Sequence, residues 1–174
     1  MKRGFICAAV LILAGCASSP DNRYYILEAV PPSAPSTPSA PLRLNGFHLP
    51  PLYDRPQIVE RSGPQSVAFL EYDRWAEPLD RMGARVLRRD LELRGVASQG
   101  AGAGLVVTVD EFMADRSGSV TFNGGWRIGE CRDRHFAMTE RSDGTDSARI
   151  ASAMSRLLGR LADELALQSE RCAS

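Results

Sequence analysis

The last third of the chain contains one apolar pattern that restricts the fold more than any other. Its members recur every three or four residues and are Ile150, Met154, Leu157, Leu158, Leu161 and Leu165. Such spacing predicts an amphipathic helix, and Asp143 to Ser147 supply residues that cap helix starts. Because one face of this helix must be covered, the rest of the chain has to provide a surface of matching length.

Alternating and apolar runs predict that this surface is a β-sheet. Strands are expected over 23–30, 41–50, 55–61 and 66–75, followed by a helix over 79–94 that opens at Pro78. Three further strands are expected over 105–115, 118–128 and 130–141, with Asn123-Gly124-Gly125 as a turn. The predicted fold is α/β: a single domain with a mixed sheet flanked by two main helices.

The N-terminus carries the features of an export signal. Lys2 and Arg3 precede a short apolar run, and Leu-Ala-Gly-Cys ends at Cys16. The run is too short to span a bilayer, which takes about 20 residues. It resembles a bacterial lipoprotein signal, which implies cleavage after residue 15, acylation of Cys16 with palmitate among the acyl groups, and, with Ala17 next, sorting to the outer membrane. The alternative is an ordinary secreted protein with a coincidental cysteine.

A short tether joins the predicted anchor to the domain. Residues 16–22 form this tether, and the domain is expected over 23–172. Both faces of 23–30 are apolar, which predicts a strand buried within the sheet. The proline-rich stretch 31–41 disfavours helix and inner strand, and we interpret it as a loop inside the domain because 23–30 alone cannot form a domain.

Cysteine use leaves one pairing question open. Cys7 is removed with the signal and Cys16 is acylated, so Cys131 and Cys172 remain. They either form a disulfide that ties the last helix to the sheet or remain free and buried.

Charge and motif content argue against several function classes. The 21 basic and 21 acidic residues are interleaved, so no basic patch predicts nucleic-acid binding. His48 and His135 lie far apart, and no Cys-x-x-Cys pair is present, so neither a metal site nor a cofactor is predicted. No serine-hydrolase elbow, phosphate loop or convergent carboxylate pair is found, and we expect no enzymatic activity.

Two stretches are unusual for plain core strands. "LPPLYDRPQIVER" (49–61) and "DRWAEPLD" (73–80) combine aromatic, charged and proline residues. Taken alone, the second stretch predicts that Trp75 covers the edge of the core and that Arg74 and Glu77 form a local ion pair. Together with "YYIL" (24–27), they resemble the auxiliary lipoproteins of ABC-type transport systems, in the group typified by paraquat-inducible protein C.

This resemblance implies a place in a lipid transport pathway across the periplasm. In such a pathway the lipoprotein is a docking component that binds an MCE-domain membrane protein, forms a homo-oligomer and binds no nucleotide. Nine residues are the candidate interface or structural motif: Tyr53, Asp54, Arg55, Pro56, Gln57, Arg74, Trp75, Glu77 and Pro78. Whether they contact the partner or only hold the fold stays open. A second hypothesis is a periplasmic carrier lipoprotein that binds a lipid or another small molecule.

Overall fold

The computed structural model describes residues 20–33, 38–97 and 101–173. The predicted signal peptide and the predicted lipidation site Cys16 lie outside the described residues. A seven-stranded mixed sheet carries two helices, as predicted. The strands are β1 (Arg23–Tyr25), β2 (Leu42–His48), β3 (Gln57–Gly63), β4 (Ser66–Trp75), β5 (Ala103–Asp115), β6 (Ser119–Ile128) and β7 (Arg134–Arg141). The helices are α1 (Leu79–Leu93) and α2 (Ser147–Ala173).

The strands run in the order β1-β4-β3-β5-β6-β7, and β2 lies beside β5. The pairs β1/β4, β2/β5 and β3/β5 are parallel, whereas β3/β4, β5/β6 and β6/β7 are antiparallel. The sheet therefore contains both hairpin and crossover connections, as expected for a mixed α/β domain.

The helices cover one face of this sheet. Along β6, every second residue from Val120 to Ile128 is buried, and the residues between them are partly or fully exposed. The Trp126 indole, on the buried face, donates a hydrogen bond of 3.1 Å to Glu164 of α2. Phe112, Phe122 and Phe136 stack across β5, β6 and β7 with ring centroids 4.3 and 4.8 Å apart. These rings form the centre of the core beneath the helices.

Strands β2 and β3 share one edge of β5. β2 pairs with its first half, and β3 pairs with its end at Ala114 and Asp115. A 3-10 helix, Pro51–Tyr53, fills the interval between them. Tyr53 points into this interval, and its hydroxyl accepts a hydrogen bond of 2.8 Å from the backbone N–H of Phe112. The side chain thus satisfies a backbone donor that the sheet leaves unpaired there.

The prediction of a buried strand over 23–30 is wrong. β1 contains only three residues and lies at the edge of the sheet, and Tyr24 and Ile26 are 63% and 50% exposed. Residues 27–30 run instead between the helices: Leu27 N–H contacts Met82 Sδ, and Glu28 N–H donates to Ser155 Oγ. Because helix side chains satisfy these backbone groups, the segment needs no neighbouring strand.

The prediction of a turn at Asn123-Gly124-Gly125 is also wrong, because all three residues lie within β6. The chain reverses at Gly118, whose φ is +81°. β5 bulges between Val109 and Glu111, and a Cβ on Gly124 would lie 2.2 Å from the carbonyl oxygen of Thr108. Glycine is therefore needed for close approach to the bulged strand.

The described parts of the proline-rich segment 31–41 are fixed to the body of the domain. The Ser39 N–H donates to Gly95 O at 3.1 Å, and the Ala40 N–H donates to Glu170 Oε1 at 2.7 Å. Residues 34–37 lie outside the described residues.

Candidate functional site: an aromatic cleft near the N-terminal strand

The two unusual stretches of the sequence meet around one cleft of about 530 Å³. Its first wall comes from Tyr53, Asp54, Arg55 and Pro56, and its second from Trp75, Ala76, Glu77, Pro78 and Asp80. Tyr24 and Leu49 complete it. The predicted residues Gln57 and Arg74 do not line the cleft. They are partners in the β3–β4 register at its base.

Backbone hydrogen bonds join the two walls to each other and the second wall to β1. The Trp75 N–H donates to Pro56 O at 2.7 Å, and the Ala76 N–H donates to Tyr25 O at 2.9 Å. Pro56 and Pro78 restrict the chain on either side of the cleft, because proline fixes φ. The cleft is therefore largely pre-formed, as binding sites usually are.

Tyr53 and Trp75 belong to the core as much as to the cleft. They are 5% and 4% exposed. Burial raises the pKa of the Tyr53 hydroxyl to about 12, against the lowering effect of the Phe112 N–H bond. The phenol therefore stays neutral at physiological pH and accepts the Phe112 hydrogen bond throughout that range.

The charged residues in and beside the cleft form contacts that the sequence does not reveal. Arg55 lies over the Phe69 ring, 4.1 Å from its centroid. Glu77 forms an ion pair with Arg85 of α1. Arg74 donates to Asn22 Oδ1 at 3.0 Å. The alternative interpretation of a local Arg74–Glu77 ion pair is therefore wrong: Arg74 lies on strand β4, and Glu77 faces the helix that follows.

A family model described as "ABC-type transport auxiliary lipoprotein component" matches residues 25–166. The chain belongs to this family. A curated relative, "Intermembrane transport lipoprotein PqiC" of Escherichia coli K12, is 32% identical, with 84% of this chain and 87% of the relative covered. The protein of the same name from Shigella flexneri matches to the same extent.

Solved structures share the fold of this family member. A crystal structure of an uncharacterized protein gives a TM-score of 0.73 at 21% identity, covering 86% of this chain and 99% of the other. A second, from Xanthomonas campestris, gives a TM-score of 0.68 at 22% identity, covering 87% and 96%. Both likenesses concern the fold alone.

The auxiliary lipoprotein domain holds β1 through a buried carboxylate that sequence reasoning missed. Asp73 of β4 accepts hydrogen bonds from Arg23 Nε at 2.6 Å and from Ser147 Oγ, at the start of α2, at 2.7 Å. Burial alone would raise the pKa of this carboxyl, but the bonds from Ser147 and Arg23 outweigh it and hold the pKa below its usual value. Asp73 thereby joins β1, next to the cleft, to the start of α2.

A second buried carboxylate, Asp90, anchors the chain after β1. Its Oδ1 accepts a hydrogen bond of 2.7 Å from Val30 N–H, while Arg94 donates to Val30 O at 3.0 Å. Burial raises the Asp90 pKa to about 6, against lowering by the Val30 bond and by Arg94. Helix side chains thus contact the backbone at both ends of the segment 27–30, which lies between α1 and α2.

The auxiliary lipoprotein chain also contains a disulfide. Cys131, in the loop between β6 and β7, bonds to Cys172 near the end of α2. Cys172 lies beyond residue 166, where the family match ends.

No metal-ligand group and no membrane-spanning helix is found in the described ranges. Within 20–33, 38–97 and 101–173, no group of three or more His, Cys, Asp or Glu residues could hold a metal ion. His48 and His135 are exposed on β2 and β7. Among these same residues, no helix is both long and apolar enough to cross a bilayer. The matching family model describes an auxiliary component of ABC-type transport.

Proposed function

We propose that this protein is an outer-membrane lipoprotein that faces the periplasm and serves as a non-enzymatic docking component of an MCE-type ABC lipid transport system. In this proposal Cys16 carries the lipid anchor, and the folded domain binds the MCE-domain membrane protein of the system. The observation that carries it is the cleft, because the two stretches that resemble the family motifs form its walls. The name of the E. coli relative, an intermembrane transport lipoprotein, supports the transport role.

The position of the cleft supports a role close to the membrane. Tyr24, which lines it, is the eighth residue after Cys16. Eight extended residues span at most about 28 Å. An anchor at Cys16 therefore keeps the cleft within this distance of the bilayer surface. A docking component must bind the end of the MCE-domain protein at that surface.

The rigidity of the cleft supports docking by a pre-formed surface. Backbone hydrogen bonds join Trp75 to Pro56 and Ala76 to Tyr25, and the Tyr53 hydroxyl is bonded to Phe112 of β5. A pre-organised site loses little conformational entropy on binding, so more of the contact energy appears as affinity.

The carrier hypothesis draws support from the cleft volume. About 530 Å³ lies within the range of small-molecule sites, and most of the lining side chains are apolar or aromatic. A carrier should purify with a stoichiometric lipid and bind no MCE-domain protein.

Native mass spectrometry of the mature lipoprotein in detergent micelles, with and without the MCE-domain protein of its own system, tests the proposal. We expect a homo-oligomer that adds the MCE-domain protein and retains no stoichiometric lipid. Tyr24→Ala should weaken this complex at least about fivefold, since exposed aromatic anchors dominate interfaces. Leu167→Ala removes an exposed apolar side chain from α2, outside the cleft, and should leave the complex unchanged. A lipid-loaded monomer without affinity for the MCE-domain protein would overturn the proposal in favour of the carrier.

A further inference from the structure

The charges that line the cleft are not equally available to a ligand. Four charged residues line it: Asp54, Arg55, Glu77 and Asp80. The Arg55 guanidinium lies on the Phe69 ring, and Glu77 is paired with Arg85. Within the described ranges, the side chains of Asp54 and Asp80 have no hydrogen-bond or ion-pair partner. Arg55 keeps its positive charge on this ring, so two negative residues (Asp54 and Asp80) and one positive residue (Arg55) together offer a ligand a net charge of −1.

Aromatic surface adjoins these two carboxylates. Tyr24 is 63% exposed at the mouth, while Tyr53 and Trp75 lie deeper and are nearly buried. A planar guanidinium stacks on aromatic rings and donates paired hydrogen bonds to carboxylates, and it is less strongly hydrated than an ammonium group. The combination of carboxylates and rings in one rigid cleft is therefore complementary to arginine.

We propose that the cleft binds a segment of the partner protein that presents an arginine side chain next to an apolar side chain. The arginine pairs with Asp54 and Asp80 at the rim, and the apolar side chain fills the space beside Tyr24 and Leu49. This inference rests on the proposed docking function and specifies the chemistry of the partner. A phospholipid headgroup is a poorer match, because its phosphate would face two unpaired carboxylates.

Two capped tetrapeptides provide the first test. The mature lipoprotein in detergent micelles is titrated with acetyl-Gly-Leu-Arg-Gly-amide or acetyl-Gly-Leu-Glu-Gly-amide while the backbone amide resonances are followed. We expect the arginine peptide to shift the amides of Ala76 and Asp54 and to bind at least about fivefold more tightly. Raising the salt from 50 to 500 mM should reduce this preference, because rim charges are screened. Equal binding of the two peptides, or shifts confined to residues outside the cleft, would overturn the inference.

Paired carboxylate variants provide the second test. Asp54→Asn with Asp80→Asn should remove the preference for arginine while leaving the fold intact, since both residues are exposed. Asp110→Asn with Asp143→Asn changes the same charge at exposed positions outside the cleft and should preserve the preference. A preference that survives the first pair contradicts the inference. Phosphatidylglycerol that shifts the same amides and displaces the arginine peptide would assign the cleft to lipid and also overturn it.

The MCE-domain protein separates this inference from the proposed function. If it binds wild-type lipoprotein and the Asp54→Asn/Asp80→Asn variant equally well, docking stands and the arginine site is wrong. If it binds neither, the docking function itself fails. A loss of at least about fivefold in the double variant alone supports both.

Discussion

The backbone N–H of Trp75 donates a 2.7 Å hydrogen bond to the carbonyl oxygen of Pro56. This bond joins the two stretches whose composition stands out in the sequence, and it lies where β4 ends and β3 is about to begin. The cleft therefore depends on the packing of Trp75, which is 4% exposed.

Replacing Trp75 tests whether the cleft and the core are one structure. Trp75→Ala should lower the free energy of unfolding by about 3–5 kcal/mol, because it removes a buried aromatic side chain and leaves a cavity. Denaturant unfolding of the mature protein measures this loss. Tyr24→Ala, at an exposed position in the same cleft, should change stability by less than about 1 kcal/mol. Unchanged unfolding together with lost partner binding would instead make Trp75 an interface residue.

Tyr53 offers a test of the hydrogen bond that joins the connection between β2 and β3 to Phe112 of β5. Tyr53→Phe removes the acceptor of the Phe112 N–H and should cost about 1–3 kcal/mol, because a buried donor is left unpaired. Tyr24→Phe removes an exposed hydroxyl and should have little effect. Equal stability of the Tyr53→Phe variant and wild type would mean that another group satisfies Phe112.

The raised Tyr53 pKa predicts a loss of stability in alkali. The neutral phenol is favoured in the folded state, where the pKa is about 12 rather than 10. The stabilisation is fully present below pH 10 and is lost as pH rises from about 10 through 12. Tyr53→Phe should lack this part of the alkaline dependence, as measured by urea unfolding at each pH.

Much of the fold is predictable from pattern, as β4 and α2 illustrate. The expected strand 66–75 coincides with β4, and the repeating leucines of 150–165 lie on the buried face of α2. The stretch 27–30 misleads because apolar residues on both faces suit a buried strand and a segment between two helices equally well. Gly124 suggests a turn, but it is required by the close approach of the bulge in β5. That bulge has no local sequence signal.

The candidate site can be predicted only in part from the sequence. Composition and resemblance single out 53–57 and 74–78, but their meeting around one cleft depends on the β3–β4 register. Asp73 lies in β4, whose sequence alternates like that of an ordinary strand, and its partners Arg23 and Ser147 are 50 and 74 residues away. Contacts over such distances follow from the topology and cannot be inferred from one sequence.

Asp90 predicts a pH-dependent stability in the acid range. Its pKa is raised to about 6 from an ordinary 3.8, so the folded state favours the protonated carboxyl. The contribution of this protonated carboxyl to the free energy of unfolding is fully present below about pH 4 and is lost as pH rises through 6. In urea unfolding of the wild type, the free energy of unfolding should fall by on the order of 2 kcal/mol from this group between pH 4 and 7.5. Asp90→Asn should lack it, whereas Asp110→Asn, at an exposed position of β5, should keep it.

The Cys131–Cys172 disulfide should stabilise the end of α2. The two cysteines are 41 residues apart, and closing such a loop contributes about 2–4 kcal/mol. Reducing agent should lower the melting temperature of wild type but not that of Cys131→Ser with Cys172→Ser, which should already melt at the lower value. A melting temperature insensitive to reduction in both proteins would mean that the bond contributes nothing measurable.

The proposed lipidation at Cys16 predicts that this residue alone anchors the domain to a membrane. Cys16→Ser should abolish incorporation of labelled palmitate, because the serine hydroxyl cannot replace the thiol that takes up the diacylglyceryl group. Cys7→Ser, within the predicted signal peptide, should leave incorporation unchanged and is the matched control. Ala17→Asp should keep the lipid but shift the protein to the inner-membrane fraction, while Ala17→Ser should not. Labelling that persists in Cys16→Ser would show that the anchor is elsewhere, and the 28 Å limit on the distance between cleft and bilayer would no longer hold.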